Sequence, residues 1–256
     1  MEILSWLNVN PDNLAEQVCR PSDYFPELKD VKVQPNDVSN ADWSGGAVIF
    51  GGTGLFFPSL ATVLEQALKV RRHPMVLWGV GVDTHGEHLV QWPEWAGQFD
   101  LAGLRDYGNP WDYVPCPSCM SPFFDEARDT QSIYDMVVYE HVDYPIDIIG
   151  VPRKTNVQKA EDFKRVLMFL ASGKTIVTSS YHGTFWGMLL GRKVLCWKPW
   201  SSKFYGLEHF HYRVNEQNWH TVHTRYHATT SVPDYLARCR LANRQFAANV
   251  FRVLKL

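Results

Sequence analysis

A stretch of 23 residues, from Thr175 to Trp197, constrains the fold of this chain more than any other part of it. Its first residues are β-branched and apolar, which is typical of a buried parallel strand. Three hydroxyl residues that suit a helix N-cap follow, and Gly191 marks the end of the helix that they begin. A second apolar run starts at Val194. This order of strand, tight turn, helix and strand predicts an α/β fold.

The turn inside this stretch places His182 and Gly183 at the start of the helix, beside the carboxyl end of the strand. Open α/β sheets bind ligands at that end, and free N–H groups at a helix N-terminus attract phosphate. We therefore predict a ligand site at the turn. The alternative is that the hydroxyls only cap the helix and that His182 only packs.

Composition limits the classes of protein that the chain can belong to. Its 256 residues are 45% hydrophobic and 20% charged, which indicates a globular protein with a large core. A net charge of −2 argues against binding to nucleic acid. The sequence shows no signal peptide and no apolar run long enough for a transmembrane helix. With five cysteines, an odd number, we predict a cytoplasmic protein with reduced thiols; peripheral membrane contact and oligomeric state stay open.

The alternation of apolar runs and amphipathic segments divides the chain into two α/β halves. We predict a first domain over residues 1–128 and a second over residues 129–256, the latter ending in a long helix. Before the first strand, at Ala47–Phe50, we predict an irregular leader over residues 8–45. Later strands are predicted to begin at Pro74, Leu101 and Met136, and two helices over residues 59–71 and 160–172.

Glycines follow two of the predicted strands of the first half. Such residues allow a ligand to approach the backbone closely, although neither the dinucleotide-binding pattern nor the P-loop pattern is present. Turn glycines with no ligand are the alternative. The residues predicted to line a cleft here are Gly51, Gly52, Thr53, Gly54, Gly81 and Asp83.

The pair Cys116 and Cys119 has the spacing of a metal or redox motif. A structural zinc site needs about four ligands, and no second pair of cysteines exists. A redox pair would open a helix after a strand, whereas prolines crowd this segment. We therefore predict a buried loop and no metal site.

Taken in order, these motifs resemble the polysaccharide pyruvyl transferase family. The resemblance rests on the strand followed by Gly-Gly-Thr-Gly-Leu-Phe, the Trp-Gly-Val-Gly-Val-Asp turn, Leu-Arg-Asp, Thr-Ser-Ser-Tyr-His-Gly and a Ser-Ser-Lys loop, and it spans residues 47–207. It implies two Rossmann-like halves whose parallel sheets face a central cleft, as in the glycosyltransferase-B fold. It also implies that pyruvate moves from phosphoenolpyruvate to a sugar or glycan acceptor as a ketal, with no cofactor. The first half would hold the acceptor and the second half the donor.

The resemblance also suggests roles for individual residues. His182, near its ordinary pKa, would act as an acid or base, and Arg105 would grip a carboxylate or phosphate. The predicted donor-binding residues are Ser179, Ser180, Tyr181, Gly183, Thr184 and Lys203.

Two departures from the family leave other functions open. Ser180 stands where well-studied members have Arg, as in a branch of the family with Ser before the aromatic–His pair, and a glycine-rich loop expected near the start is absent. A glycosyltransferase with a nucleotide-sugar donor and a non-catalytic carbohydrate-binding relative are the alternatives.

Overall fold

A computed structural model describes residues 3–6, 12–34, 45–52, 58–209, 211–225 and 234–256. Within them the chain forms two entirely parallel sheets, one in each half. This agrees with the predicted α/β class. The continuous apolar runs explain it, because a parallel strand is covered on both faces.

The first sheet has the strand order β2-β1-β3-β4-β5-β6 in the described part of the chain. Its central strand β3 is buried at every position, as is β4. The strands are β1 (Ile3–Trp6), β2 (Lys32–Gln34), β3 (Ala47–Gly51), β4 (Met75–Val80), β5 (Leu101–Leu104) and β6 (Asp112–Tyr113).

In the described part of the chain the second sheet has the order β11-β10-β9-β7-β8. Read from β8, its five strands repeat the 2-1-3-4-5 arrangement of the first five strands of the first sheet. In each sheet the direction of winding changes between the first strand and the third, which in open α/β sheets is where ligands bind. The strands are β7 (Tyr134–Glu140), β8 (Arg153–Thr155), β9 (Gly173–Thr178), β10 (Lys193–Trp197) and β11 (Tyr212–Val214).

The prediction of an irregular leader over residues 8–45 was wrong. Strand β2 lies within that range and pairs with β1, which in turn pairs with β3. A short helix α1 (Leu14–Gln17), capped by the Asn13 side chain, also lies there. Local pattern missed β2 because three residues on a sheet edge, two of them polar, carry no periodic signal.

The helices cover both sheets. Besides α1 they are α2 (Pro58–Val70), α3 (Phe123–Arg128), α4 (Phe163–Ala171), α5 (Tyr181–Leu189), α6 (Trp219–Arg225) and α7 (Tyr235–Leu254). All nine residues of α5 are buried, so this helix is covered on every side. No helix in the described ranges combines the length and the apolar character needed to cross a membrane.

Helix α7 packs against both halves. Near its start, Leu236 and Cys239 join the core cluster that contains α5. Towards its end, Phe246 and Val250 pack in another cluster with Trp78 of β4. The last helix of the chain therefore completes the core of the first half, although the domain boundary predicted at residue 128 assigns it to the second.

Candidate functional site

The residues predicted to carry function converge where the carboxyl ends of the two sheets meet. His182 lies in the first turn of α5, directly after β9, and Arg105 directly follows β5. The Arg105 guanidinium carbon lies 4.2 Å from the centroid of the Tyr181 ring, so the two halves touch at this point. His182 is 8% exposed and Arg105 is 3% exposed, so this is an enclosed site and not an open surface.

The hydroxyls of the turn before α5 already have protein partners. Ser180 is the N-cap, and its hydroxyl accepts a hydrogen bond from the Gly183 N–H at 3.4 Å. The Thr184 hydroxyl donates to the Ser180 carbonyl at 3.1 Å. The Ser179 hydroxyl donates to the Tyr144 carbonyl at 2.6 Å. These contacts explain why the turn forms, and they use the hydroxyl protons of Ser179 and Thr184, two of the residues predicted to bind the donor.

Arg105 has room beside the first sheet only because residue 81 is glycine. A Cβ atom on Gly81 would lie 2.5 Å from Arg105 Nε and 3.0 Å from Asp106 Oδ1. The guanidinium donates from Nη1 to the Gly52 carbonyl at 3.5 Å, which is a long contact. Arg105 Nε is buried and has no hydrogen-bond partner among the described residues. A buried guanidinium stays charged, so this group retains unused capacity to bind an anion.

His182 faces two thiols. Its Nε2 atom lies 3.3 Å from Cys19 Sγ and 3.5 Å from Cys116 Sγ, and the two sulfurs are 3.1 Å apart. We expected His182 to titrate near its ordinary pKa, but burial lowers the pKa of this imidazole. His182 is therefore neutral at pH 7 unless a bound anion or thiolate charges it.

The two thiols differ in their surroundings. Burial raises the pKa of Cys19 well above its usual value. Burial would do the same to Cys116, but the Cys19 thiol, His182 and the Ser118 hydroxyl outweigh it and hold the pKa of Cys116 well below its usual value. Cys116 is thus the sulfur that carries negative charge when one of the pair is ionised.

Gly52 allows the segment that carries Cys19 to lie close to the end of β3. Its φ angle is +54°, in the left-handed region that favours glycine, and a Cβ there would lie 2.0 Å from the Cys19 carbonyl oxygen. The glycine that follows β3 was predicted to allow a ligand to approach the backbone. In the structure its close neighbour is a protein segment, the one that carries Cys19.

Lys203 and Asp83 join the two halves. Lys203 Nζ lies 2.8 Å from Asp83 Oδ2, and the Ser201 hydroxyl donates to the other carboxylate oxygen. Burial would raise the pKa of Asp83, but Lys203 and Ser201 outweigh it and lower that pKa. Backbone pairing continues the contact, because the Ser202 N–H donates to the Thr84 carbonyl at 3.0 Å. Asp83 therefore balances the positive charge of Lys203, a residue that we predicted to bind the donor.

Asp106 is fully buried beside Arg105. Its Oδ2 atom accepts a hydrogen bond from the Val82 N–H at 2.8 Å, whereas Oδ1 has no partner in the described part of the chain. Burial raises the pKa of this carboxyl to about 6, although Arg105 opposes the shift. Asp106 can therefore change its charge close to neutral pH.

This raised pKa predicts a pH dependence of stability. Between about pH 4 and pH 6 the native state binds the Asp106 proton more tightly than the unfolded state, so the free energy of unfolding falls as pH rises, by about 3 kcal/mol in total. We expect Asp106→Asn to remove this contribution. Urea denaturation of both proteins at several pH values measures it, with the exposed Asp112→Asn as control. Parallel pH profiles for wild type and Asp106→Asn would contradict the prediction.

Several predicted residues meet at the site, and others lie outside the described residues. Five of them lie in contact or within one side chain of each other: His182, Arg105, Tyr181, Gly52 and Gly81. Gly51 is the last residue of β3. Thr53 and Gly54, which we predicted to line the cleft, lie outside the described residues.

Nothing in the sequence singles out Cys19, and the spacing of Cys116 pairs it only with Cys119. Cys19 and Cys116 are 97 residues apart, and Cys19 and His182 are 163 apart. Cys119 turns away and contacts the Asn243 side chain amide at 3.4 Å. Only the fold reveals which cysteines are neighbours.

Comparisons with known proteins identify no function. No protein-family model matches the chain, and no curated protein matches it. Among solved structures, it is similar to a functionally uncharacterised protein from Klebsiella pneumoniae subsp. pneumoniae. The two are 12% identical, the match covers 80% of this chain and 86% of the other, and the TM-score is 0.49.

Proposed function

We propose that this chain is a transferase that moves pyruvate from phosphoenolpyruvate to a sugar of a glycan or glycan precursor, forming a ketal. The observation that carries the proposal is the buried Arg105 guanidinium beside His182, with Nε unpartnered among the described residues. The order of motifs that resembles the pyruvyl transferase family supports it independently.

Arg105 suits the carboxylate or the phosphate of the donor. A guanidinium presents parallel N–H groups that match two oxygens of such an anion. The Tyr181 ring at 4.2 Å fixes the plane of the guanidinium, and Gly81 leaves space for it. Asp106 lies beside the guanidinium, but no hydrogen bond reaches Arg105 Nε from the described residues. A buried N–H without an acceptor is costly, so an anion bound at Nε would complete the group.

The reaction needs one proton at carbon and two additions of oxygen. C3 of phosphoenolpyruvate gains a proton, and the first sugar hydroxyl adds at C2 and releases its proton, which replaces the one given to C3. The second hydroxyl then displaces phosphate by breaking the bond between C2 and the phosphate ester oxygen, and its proton leaves with the phosphate. The products are the ketal and inorganic phosphate, and no redox step is involved. We assign the proton donation to His182, whose Nε2 atom lies within hydrogen-bond distance of the two thiols beside it.

The proposal includes a glycosyltransferase-B-like arrangement, with the donor beside α5 and the acceptor beside the first sheet. Both sheets have their change of winding next to this site, since Gly52 follows β3 and the turn of Ser180 follows β9. Two such points facing each other can hold two substrates.

A nucleotide-sugar donor would need an aromatic face for its base. Trp200 is an aromatic residue beside the turn, since its Nε1 donates to the Ser179 carbonyl at 2.9 Å. The Tyr144 ring stacks on Trp200 at 4.2 Å between centroids and 11° between planes, and Lys203 Nζ lies 3.9 Å from the Trp200 centroid. The Trp200 ring therefore already stacks on a protein ring, which favours phosphoenolpyruvate over a nucleotide.

A thermal-shift titration with phosphoenolpyruvate, UDP, GDP, CMP and inorganic phosphate tests the proposal. At 100 times its Kd, a ligand that binds only the native state stabilises it by about 2.7 kcal/mol. For a chain of this size we expect phosphoenolpyruvate to raise the midpoint by roughly 5–10 °C. A shift with a nucleotide and none with phosphoenolpyruvate would instead identify a glycosyltransferase-type donor and overturn the proposal.

A further inference from the structure

We propose that Cys19, Cys116 and His182 form a binding site for a thiophilic divalent metal ion of the Zn²⁺ class. The three ligand atoms lie 3.1–3.5 Å from one another and all three residues are buried. An ion about 1 Å outside the plane of this triangle can reach all three atoms with Zn–S bonds of about 2.3 Å and Zn–N bonds of about 2.0–2.1 Å. A tetrahedral arrangement requires the two sulfurs to move apart by roughly 0.6 Å. Two cysteines and one histidine are also a ligand set that catalytic zinc sites use, with the fourth position left open.

The fold brings the three ligands together from separate elements. Cys19 follows α1, Cys116 follows β6, and His182 lies in the first turn of α5. Each position is constrained by its neighbours, since Gly52 packs directly against Cys19 and the Ser180 cap fixes the start of α5. A site built from such elements keeps the three ligand atoms close together before an ion arrives, so binding requires only a small shift of the sulfurs.

A second layer of contacts orients one of the sulfurs. The Ser118 hydroxyl lies 3.2 Å from Cys116 Sγ and accepts a hydrogen bond from Trp186 Nε1 at 3.0 Å. When Cys116 is a thiolate it can only accept, so the Ser118 hydroxyl then donates its proton to the sulfur. Hydrogen bonds of this kind stabilise thiolate ligands and tune metal affinity.

A metal ion at this site adds no net positive charge next to the Arg105 guanidinium. Two thiolates and a neutral imidazole compensate the charge of a divalent ion, so the loaded site is neutral overall. The thiolates also explain the preference for a soft or borderline metal over Mg²⁺ or Ca²⁺, which require oxygen ligands.

The metal site goes beyond the proposed transfer of pyruvate. His182 Nε2 cannot ligate an ion and donate a proton at the same time. If both proposals hold, the loaded protein is inactive as a transferase and a chelator restores its activity. Metal binding itself is measured without any substrate, so the two proposals fail or succeed separately.

Titration of the reduced protein with Co²⁺, without oxygen, tests the site. We expect one equivalent to bind, with the near-ultraviolet thiolate-to-cobalt band and the intense visible bands of a four-coordinate site. Cys19→Ser, Cys116→Ser and His182→Asn should each weaken binding more than about 100-fold, and Ser118→Ala about 10–100-fold. Cys196→Ser, on β10 and outside the cluster, should bind like wild type.

X-ray absorption on the Zn²⁺-loaded wild type tests the ligand set without relying on variants that fold. The expected first shell contains two sulfurs at about 2.3 Å and one nitrogen at about 2.0 Å. A first shell of nitrogen and oxygen alone, an unchanged cobalt spectrum in Cys19→Ser, or formation of a Cys19–Cys116 disulfide with no metal bound by the reduced protein would overturn the proposal.

Discussion

His182→Asn is expected to lower turnover about 10³-fold while the protein remains folded. The proposed reaction requires a proton donor at C3 of phosphoenolpyruvate, and general acid catalysis typically contributes 10²–10⁴-fold. Asparagine keeps a polar group beside the two thiols but cannot exchange a proton near neutral pH. The measurement is the rate of phosphate release from phosphoenolpyruvate with whichever sugar acceptor the wild type uses.

Two controls separate loss of chemistry from loss of structure. The thermal midpoint of His182→Asn should stay close to that of wild type, since His182 lies at one end of α5 and its neighbours keep their packing. His220→Asn, an exposed histidine on α6, should leave turnover unchanged. Wild-type activity in His182→Asn would remove His182 from the mechanism, whatever the fate of the metal site.

Arg105→Lys is expected to weaken phosphoenolpyruvate binding about 10–100-fold. Lysine keeps the positive charge but loses the planar fork that contacts two anion oxygens and the stack on the Tyr181 ring. Each factor of ten corresponds to about 1.4 kcal/mol of binding free energy. Calorimetric titration of wild type and variant with phosphoenolpyruvate measures the difference directly.

The chain offers a matched control for this substitution. Arg213 stacks over the Tyr205 ring at 4.5 Å, which is the same kind of contact at an exposed position. Arg213→Lys should therefore reproduce any general effect of losing an Arg–Tyr stack while leaving donor affinity unchanged. Equal affinity in Arg105→Lys and wild type would mean that Arg105 does not hold the donor, and would remove the main support for the proposed function.

The sequence predicted β3 and β9 because buried parallel strands are continuous apolar runs, but it missed β1, a strand of four residues that lies between β2 and β3. Ala47–Phe50 and Thr175–Val177 were placed correctly within a few residues for this reason. Edge strands lack that signal, so β2 was missed. The position of α5 was also predicted from its cap, but not its burial on all sides, because burial depends on helices that pack from distant parts of the chain.

The sequence predicted only those site residues whose position relative to a strand can be seen in the local sequence. His182 and Arg105 were found because each directly follows a strand, and the carboxyl ends of parallel strands lie at one edge of a sheet. Cys19 follows a short helix, and nothing in the sequence around it indicates a partner. The raised pKa of Asp106 likewise depends on burial between two halves.

The path of α7 affects how the protein is made. A ribosome releases the chain in order, and domains generally begin to fold as they emerge. The first half emerges early, but Trp78 of β4 packs against Phe246 and Val250, which follow the whole second sheet in sequence. Until those residues leave the ribosome, part of the apolar core of the first half stays uncovered, so its final packing is coupled to synthesis of α7.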